Sequence, residues 1–168
     1  MTTANPDNQI SVHQLTNQPT QLWQRLKVKQ NKQKVPPVLP QSEKESGHVR
    51  FVLISDTHNH VDLDLPPGDV LIHTGDFTNT GTPVEIEKFN DYLGRIRATG
   101  VYKDILVIAG NHEVTFEPDK ENMFVRRFIK AEYQSLDPNE MKRKLTNCTF
   151  IENNSVEVMG FKIYGSPW

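Results

Sequence analysis

Three short apolar runs, each broken by residues that bind metals or turn chains, constrain this sequence more than any other feature. The first, Phe51-Val52-Leu53-Ile54, stops at Ser55 and is followed by Asp56 and His58. It is too short for an independent helix and too apolar for a loop, so it reads as a strand buried on both faces. Asp69-Val70-Leu71-Ile72-His73 repeats the pattern and breaks at Gly75-Asp76, and Ile105-Leu106-Val107-Ile108-Ala109 repeats it again and breaks at Gly110-Asn111-His112. In an open parallel sheet the carboxyl ends of the strands share one edge, where ligands bind, so these three polar breaks belong to one site. Asp56 and His58 stand two residues apart at the mouth of the first strand, a spacing from which both can reach one ion, and they read as metal ligands.

The text between the second and third runs describes a helix. Thr82 is placed to cap it, Pro83 suits its first position, and Glu85 completes a T-x-x-E capping box. Ile86, Phe89, Leu93 and Ile96 fall on one stripe that would cover the sheet, and Gly100 ends the helix before the third strand. Strand, helix, strand is the crossover that a parallel sheet requires. Past the third run the pattern is mixed. Met123, Phe124, Phe128 and Ile129 suggest a helix, and Asp137, Pro138 and Glu140 open a shorter one. Thr149-Phe150-Ile151, Val156-Glu157-Val158 and Phe161-Lys162-Ile163-Tyr164 read as short strands with turns at Asn153-Asn154 and near Gly160.

Composition narrows the class of protein. A length of 168 residues suggests one domain, and a charged fraction of 24% with net charge -2 gives no footprint for nucleic acid or an anionic membrane. No stretch has the length of a membrane span or the apolar core of a secretory signal, so a soluble chain in the cytoplasm or elsewhere inside the cell is expected. Cys148 is the single cysteine, which excludes an internal disulfide and a thiolate zinc cluster; it reads as a buried side chain. Residues 1–47 are rich in Gln, Asn, Lys, Thr and Pro and read as a disordered tail ahead of a domain over 48–168. Leu22, Trp23, Leu26 and Val28 have partial helical spacing, read as a transient helical turn, and Val35-Pro36-Pro37-Val38-Leu39-Pro40 favours a polyproline linker.

The strings S-D-T-H, G-D-F-T and G-N-H-E, in this order and each after a buried strand, resemble the first three signature blocks of the calcineurin-like metallophosphoesterases. The longer strings L-I-H-T-G-D-F-T, V-I-A-G-N-H-E-V-T-F and F-K-I-Y-G-S-P-W are similar to the animal metallophosphoesterase-domain-containing proteins, a phosphodiesterase-like branch. The resemblance implies an α/β fold of the αββα sandwich type, of which residues 48–168 would form the amino-terminal part. It implies that Asp56 and His58 bind a first metal, that Asp76 bridges two metals, and that Asn111 binds the second. His112 would then protonate the departing alkoxide or stabilise charge on the transferring group, with Glu113 placed to orient it and His60 lining the cleft. His73, closing an apolar strand, reads as a satisfied core histidine.

Carboxylate oxygen, imidazole nitrogen and amide oxygen together suit a borderline divalent ion such as manganese, zinc or iron better than calcium. The resemblance therefore implies two divalent ions, manganese foremost, and hydrolysis of a small phosphodiester, a nucleotide among the candidates. The resemblance also places Y-G-S-P-W near the middle of the family's catalytic domain, and no histidine follows His112. An incomplete site is expected on that ground, with an apolar sheet face left open to association. The alternative is a non-catalytic relative that binds metal weakly or binds a partner. The absence of G-x-G-x-x-G after a strand and of G-x-x-x-x-G-K-[ST] excludes the common nucleotide-binding loops.

Overall fold

A computed structural model describes residues 13–27, 43–119 and 121–167. The chain divides into two units, Met1–Val38 and Leu39–Trp168. In the first, helix α1 spans Pro19–Lys27, so a nine-residue helix stands where a transient turn is expected; Trp23 and Leu26 on it are exposed. Val28 and the segment Val35–Pro40 lie outside the described residues.

The second unit is built on a four-stranded sheet. Its strands are β1 (Phe51–Ile54), β2 (Val70–His73), β3 (Asp104–Val107) and β4 (Thr149–Phe150), in sheet order β1-β2-β3-β4 with every neighbouring pair parallel. The sheet register pairs Ile54 with His73 and His73 with Val107, which brings the carboxyl ends of the first three strands level. The first of the three short strands expected after Cys148 thus joins the parallel sheet: Thr149 pairs with Leu106, and the Ile151 N–H donates to the Val107 carbonyl. Beyond it, β5 (Asn154–Val158) and β6 (Phe161–Gly165) form an antiparallel hairpin. Its turn residues Met159 and Gly160 both have positive φ, 50° and 83°, as the tight hairpin turn that matches strand twist demands.

Parallel strands that follow one another in the sheet place right-handed crossovers on one face, which leaves the other free. Helix α2 (Pro83–Ala98) covers the first face, and Ile86, Phe89 and Leu93 bury fully against Val52, Leu71, Ile105 and Val107. Its start is the expected capping box: the Glu85 N–H donates to Thr82 Oγ1 at 3.3 Å, and Glu85 Oε2 accepts from the Thr82 N–H at 2.8 Å. Helix α4 (Pro138–Arg143), capped by Asp137 through the Asn139 N–H, adds Met141 to the same face. Between β3 and α4 run a turn of 3-10 helix at Val114–Phe116 and helix α3 (Met123–Phe128), from which Val125 is buried and Phe128 exposed.

The hairpin covers the opposite face. Val70 and Leu106, alternating with Leu71 and Ile105, pack there against Ile151, Val156, Val158 and Ile163, and Phe51 meets Phe161 edge to face at 5.3 Å. The cover reaches Phe51 at the start of the edge strand β1 but not Leu53, which is 63% exposed, so β1 is not buried on both faces as its apolar run suggests. Lys44, on the tail side of the expected boundary at residue 47, pairs with the Asp69 carboxylate at 2.8 Å; Asp69 also accepts from the Arg50 N–H. Among the described residues no helix is long and apolar enough to cross a membrane.

Candidate metal centre

The loop after β1 is stitched to the loop after β2 by main-chain hydrogen bonds that prolong the parallel pairing. Asp56 N–H donates to Gly75 O at 3.1 Å, His58 N–H to Asp76 O at 3.0 Å, and Asn59 N–H to Phe77 O at 3.0 Å. Four residues of these loops adopt left-handed backbone without being glycine: Asp56, His58, Asn59 and Asp76, with φ of 53°, 41°, 66° and 57°. Each such residue costs on the order of 1 kcal/mol or more, and a cluster of them marks a place where geometry is maintained against local preference.

That geometry brings two imidazoles and a carboxylate together. His58 Nδ1 lies 3.1 Å from the Thr78 carbonyl and His112 Nδ1 lies 2.6 Å from the Asn79 carbonyl. A carbonyl can only accept, so each Nδ1 carries the proton in the neutral ring and each Nε2 keeps its lone pair. The rings stand nearly edge to face, 4.5 Å between centroids. Donor atoms of His58, Asp76 and His112 all fall within 4.8 Å of one another. Two bare imidazole nitrogens and a carboxylate oxygen, each ring aimed by a second hydrogen bond, fit a borderline divalent ion. His112, expected beside the ligands as a proton donor, has its ring in the same group.

The remaining candidates are distributed around this group. Asp56 is exposed at the carboxyl end of β1 and stands outside the three; Asn111, half-buried, lies in the turn before His112. Asn111 lines a cleft of about 320 Å³ together with Val114, Phe116, Val125, Glu117 and Glu152. His60 holds its Nδ1 against the Thr57 carbonyl at 2.9 Å and borders a second cleft with Asp56 and Leu63, separate from the one that Asn111 lines. His73 is fully buried against Phe77 and Phe89, its Nδ1 accepting from the Gly75 N–H and its Nε2 facing Thr57 Oγ1 at 2.9 Å. It is the satisfied core histidine that its strand position suggests.

Glu113 departs from its expected role. Its hydrogen bonds do not go to the His112 ring: Oε2 accepts from Asp76 N–H at 3.0 Å and Gly110 N–H at 2.8 Å, and Oε1 accepts from Thr78 N–H at 2.9 Å and Thr78 Oγ1 at 2.7 Å. The side chain is buried, and burial raises its pKa against the pull of those four donors. A carboxylate here is a clamp between the loops after β2 and β3. Spacing alone could not show this, because the groups it clamps are mostly main-chain N–H. The same holds for the Thr78 and Asn79 carbonyls, which aim the imidazoles and carry no mark in sequence.

Comparison with known proteins gives the family. Residues 49–165 match the calcineurin-like phosphoesterase family. Over 175 aligned positions the chain is 39% identical to human Metallophosphoesterase domain-containing protein 1, covering 95% of this chain and 51% of that protein, with the same values for the mouse protein. It is 41% identical over 167 positions to a UPF0046 protein of Caenorhabditis elegans, covering 96% of this chain and 57% of that one. The chain spans about half the length of the curated relatives it matches. By the extent of these matches, the chain belongs to the calcineurin-like phosphoesterase family.

Proposed function

We propose that this chain carries the metal-binding edge of a phosphodiester hydrolase, holding two divalent ions with manganese as the preferred metal and zinc or iron as substitutes. One observation carries the reading: His58, Asp76 and His112, drawn from the carboxyl ends of three different strands, converge within 4.8 Å. Asp56 and Asn111 flank them at the same edge and complete the ligand set, with Asp76 placed centrally to serve both ions. When bound there, divalent ions supply Lewis-acid polarisation of phosphoryl oxygens and lower the pKa of water.

The chain's own residues orient and protonate. The Asn79 carbonyl occupies His112 Nδ1, so Nε2 is the one ring nitrogen the reaction can use: with the ions held by His58, Asp76, Asp56 and Asn111, a His112 Nε2 left uncoordinated carries the proton that passes to the alkoxide as the ester P–O bond breaks. The Thr78 carbonyl fixes His58 in the same way. Small phosphodiesters, nucleotides among them, are the substrates of this reading.

The test is manganese binding by calorimetry on the full chain with hydrolysis of bis-p-nitrophenyl phosphate in the same sample. Binding and turnover that are both lost in Asp76→Ala are the expected result. Turnover that survives Asp76→Ala would sink the assignment, and manganese bound without turnover would favour the non-catalytic alternative.

A further inference from the structure

The two carbonyls that aim the imidazoles belong to consecutive peptide units, and each unit presents its N–H to the same side chain. The peptide that carries the Thr78 carbonyl also carries the Asn79 N–H, which donates to Glu85 Oε1 at 3.2 Å. The peptide that carries the Asn79 carbonyl also carries the Thr80 N–H, which donates to Glu85 Oε2 at 3.3 Å. A trans peptide points its N–H and C=O in opposite directions, and no peptide here is cis. One carboxylate on the far side of these two planes therefore sets the direction in which both carbonyls face His58 and His112.

Three further donors hold that carboxylate in place. Thr82 N–H and Thr80 Oγ1 donate to Oε2 at 2.8 and 3.3 Å, and Asn59 Nδ2, from the residue after His58, donates to Oε1 at 2.7 Å. The Glu85 carboxylate accepts from all five. Asn59 is tied a second time, its carbonyl accepting from Lys88 Nζ at 3.1 Å one turn along α2. A capping box needs only the Thr82 bond; the bonds to Asn59, Asn79 and Thr80 reach beyond the helix to the candidate site.

We propose that Glu85 is a positioning residue for the metal centre, locking the Thr78 and Asn79 peptide planes so that His58 and His112 present Nε2. This rests on the metal-centre reading of those two histidines, and the ring tautomers make it testable apart from that reading. Glu85→Gln keeps the shape but replaces one acceptor oxygen by an NH2 that meets N–H donors, so at least one peptide plane loses its hold. Asn90→Ala is the control for general destabilisation, because Asn90 Oδ1, on the same helix, accepts only from Thr146 and Asn147 N–H at 2.8 and 2.9 Å.

The experiment is 15N NMR of the histidine tautomers in the metal-free full chain at pH 8, with manganese affinity and thermal midpoint measured for each variant. Wild type is expected to show His58 and His112 protonated at Nδ1, and Glu85→Gln to show mixed tautomers with affinity reduced about tenfold or more, the range seen when groups that orient ligands are lost. Asn90→Ala should keep both tautomers at an equal or larger drop in midpoint. Unchanged tautomers in Glu85→Gln, or an equal change in Asn90→Ala, would overturn the proposal. A tautomer change confined to Glu85→Gln in a chain that binds no manganese would uphold the positioning and overturn the metal reading.

Discussion

Asp76 Oδ1 accepts the main-chain N–H of His112 at 2.9 Å, so the carboxylate that faces the two imidazoles also latches the loop after β2 to the loop after β3. The two duties separate by substitution. Asp76→Asn keeps an oxygen for the His112 N–H and loses the charge, so folding stability should stay within about 1 kcal/mol while divalent-metal affinity falls at least tenfold. Asp76→Ala should lose metal binding and a further increment of about 1–3 kcal/mol, because a partly buried N–H is left without its acceptor. Urea denaturation and calorimetry on the two variants measure the difference.

The Glu113 clamp should be among the most costly side chains to remove. Glu113→Ala leaves the Asp76, Thr78 and Gly110 N–H groups without their acceptor in a buried setting, and leaves the Thr78 hydroxyl only the His112 carbonyl at 3.4 Å. Unsatisfied buried donors cost about 1–3 kcal/mol each, less where water enters the cavity, so a loss above about 3 kcal/mol is expected in urea denaturation. A loss below 1 kcal/mol would show that the four bonds contribute little. Because the bonds fix the loops and not the His112 ring, Glu113→Gln should lower stability and metal affinity together.

Backbone approach supplies a third test. A Cβ on Gly110 would clash with Asp76 Oδ1 and stand 2.7 Å from Asp76 N and 2.8 Å from Asp76 Cγ; the carboxylate can swing aside but the main-chain nitrogen cannot. Gly110→Ala should therefore displace Asp76 and abolish metal binding. Gly47→Ala, where φ is +81° and nothing lies within 4 Å, should cost only left-handed strain of about 1 kcal/mol and leave metal affinity unchanged. Thermal melts and calorimetry on both variants distinguish a steric cause from a conformational one.

These cases show which parts of the molecule local chemistry announces. The α2 start was legible because Thr82, Pro83 and Glu85 act on groups three residues away, and β2 and β3 were legible because a buried parallel strand needs apolar side chains on both faces; β1, which reads the same way, is an edge strand whose Leu53 stays exposed. The place of β4 was not, since Thr149 and Phe150 carry no pattern that chooses β3 over a hairpin partner. Within the site, His58 and Asp76 were legible as ligand types. The carbonyls of Thr78 and Asn79, the target of Glu113 and the reach of Glu85 were not, because each depends on main-chain groups that every residue possesses. The left-handed turns at Asp56, His58, Asn59 and Asp76 carry no glycine to signal them.

The buried His73 gives the fold a pH dependence whose sign follows from its environment. Burial lowers its pKa from 6.5 to about 4, with the Asp56 charge opposing in part. Below pH 6.5 the unfolded chain binds a proton that the folded chain refuses, so folding stability falls as pH drops and stops falling on this account below about pH 4. The shift corresponds to about 3 kcal/mol over that window. In His73→Gln this contribution disappears, so the curve of stability against pH should be flatter than wild type between pH 6.5 and 4, with the two curves parallel above 7. Urea denaturation at half-unit intervals measures both curves; parallel curves throughout the window would mean that His73 takes up its proton without unfolding the strand ends around it.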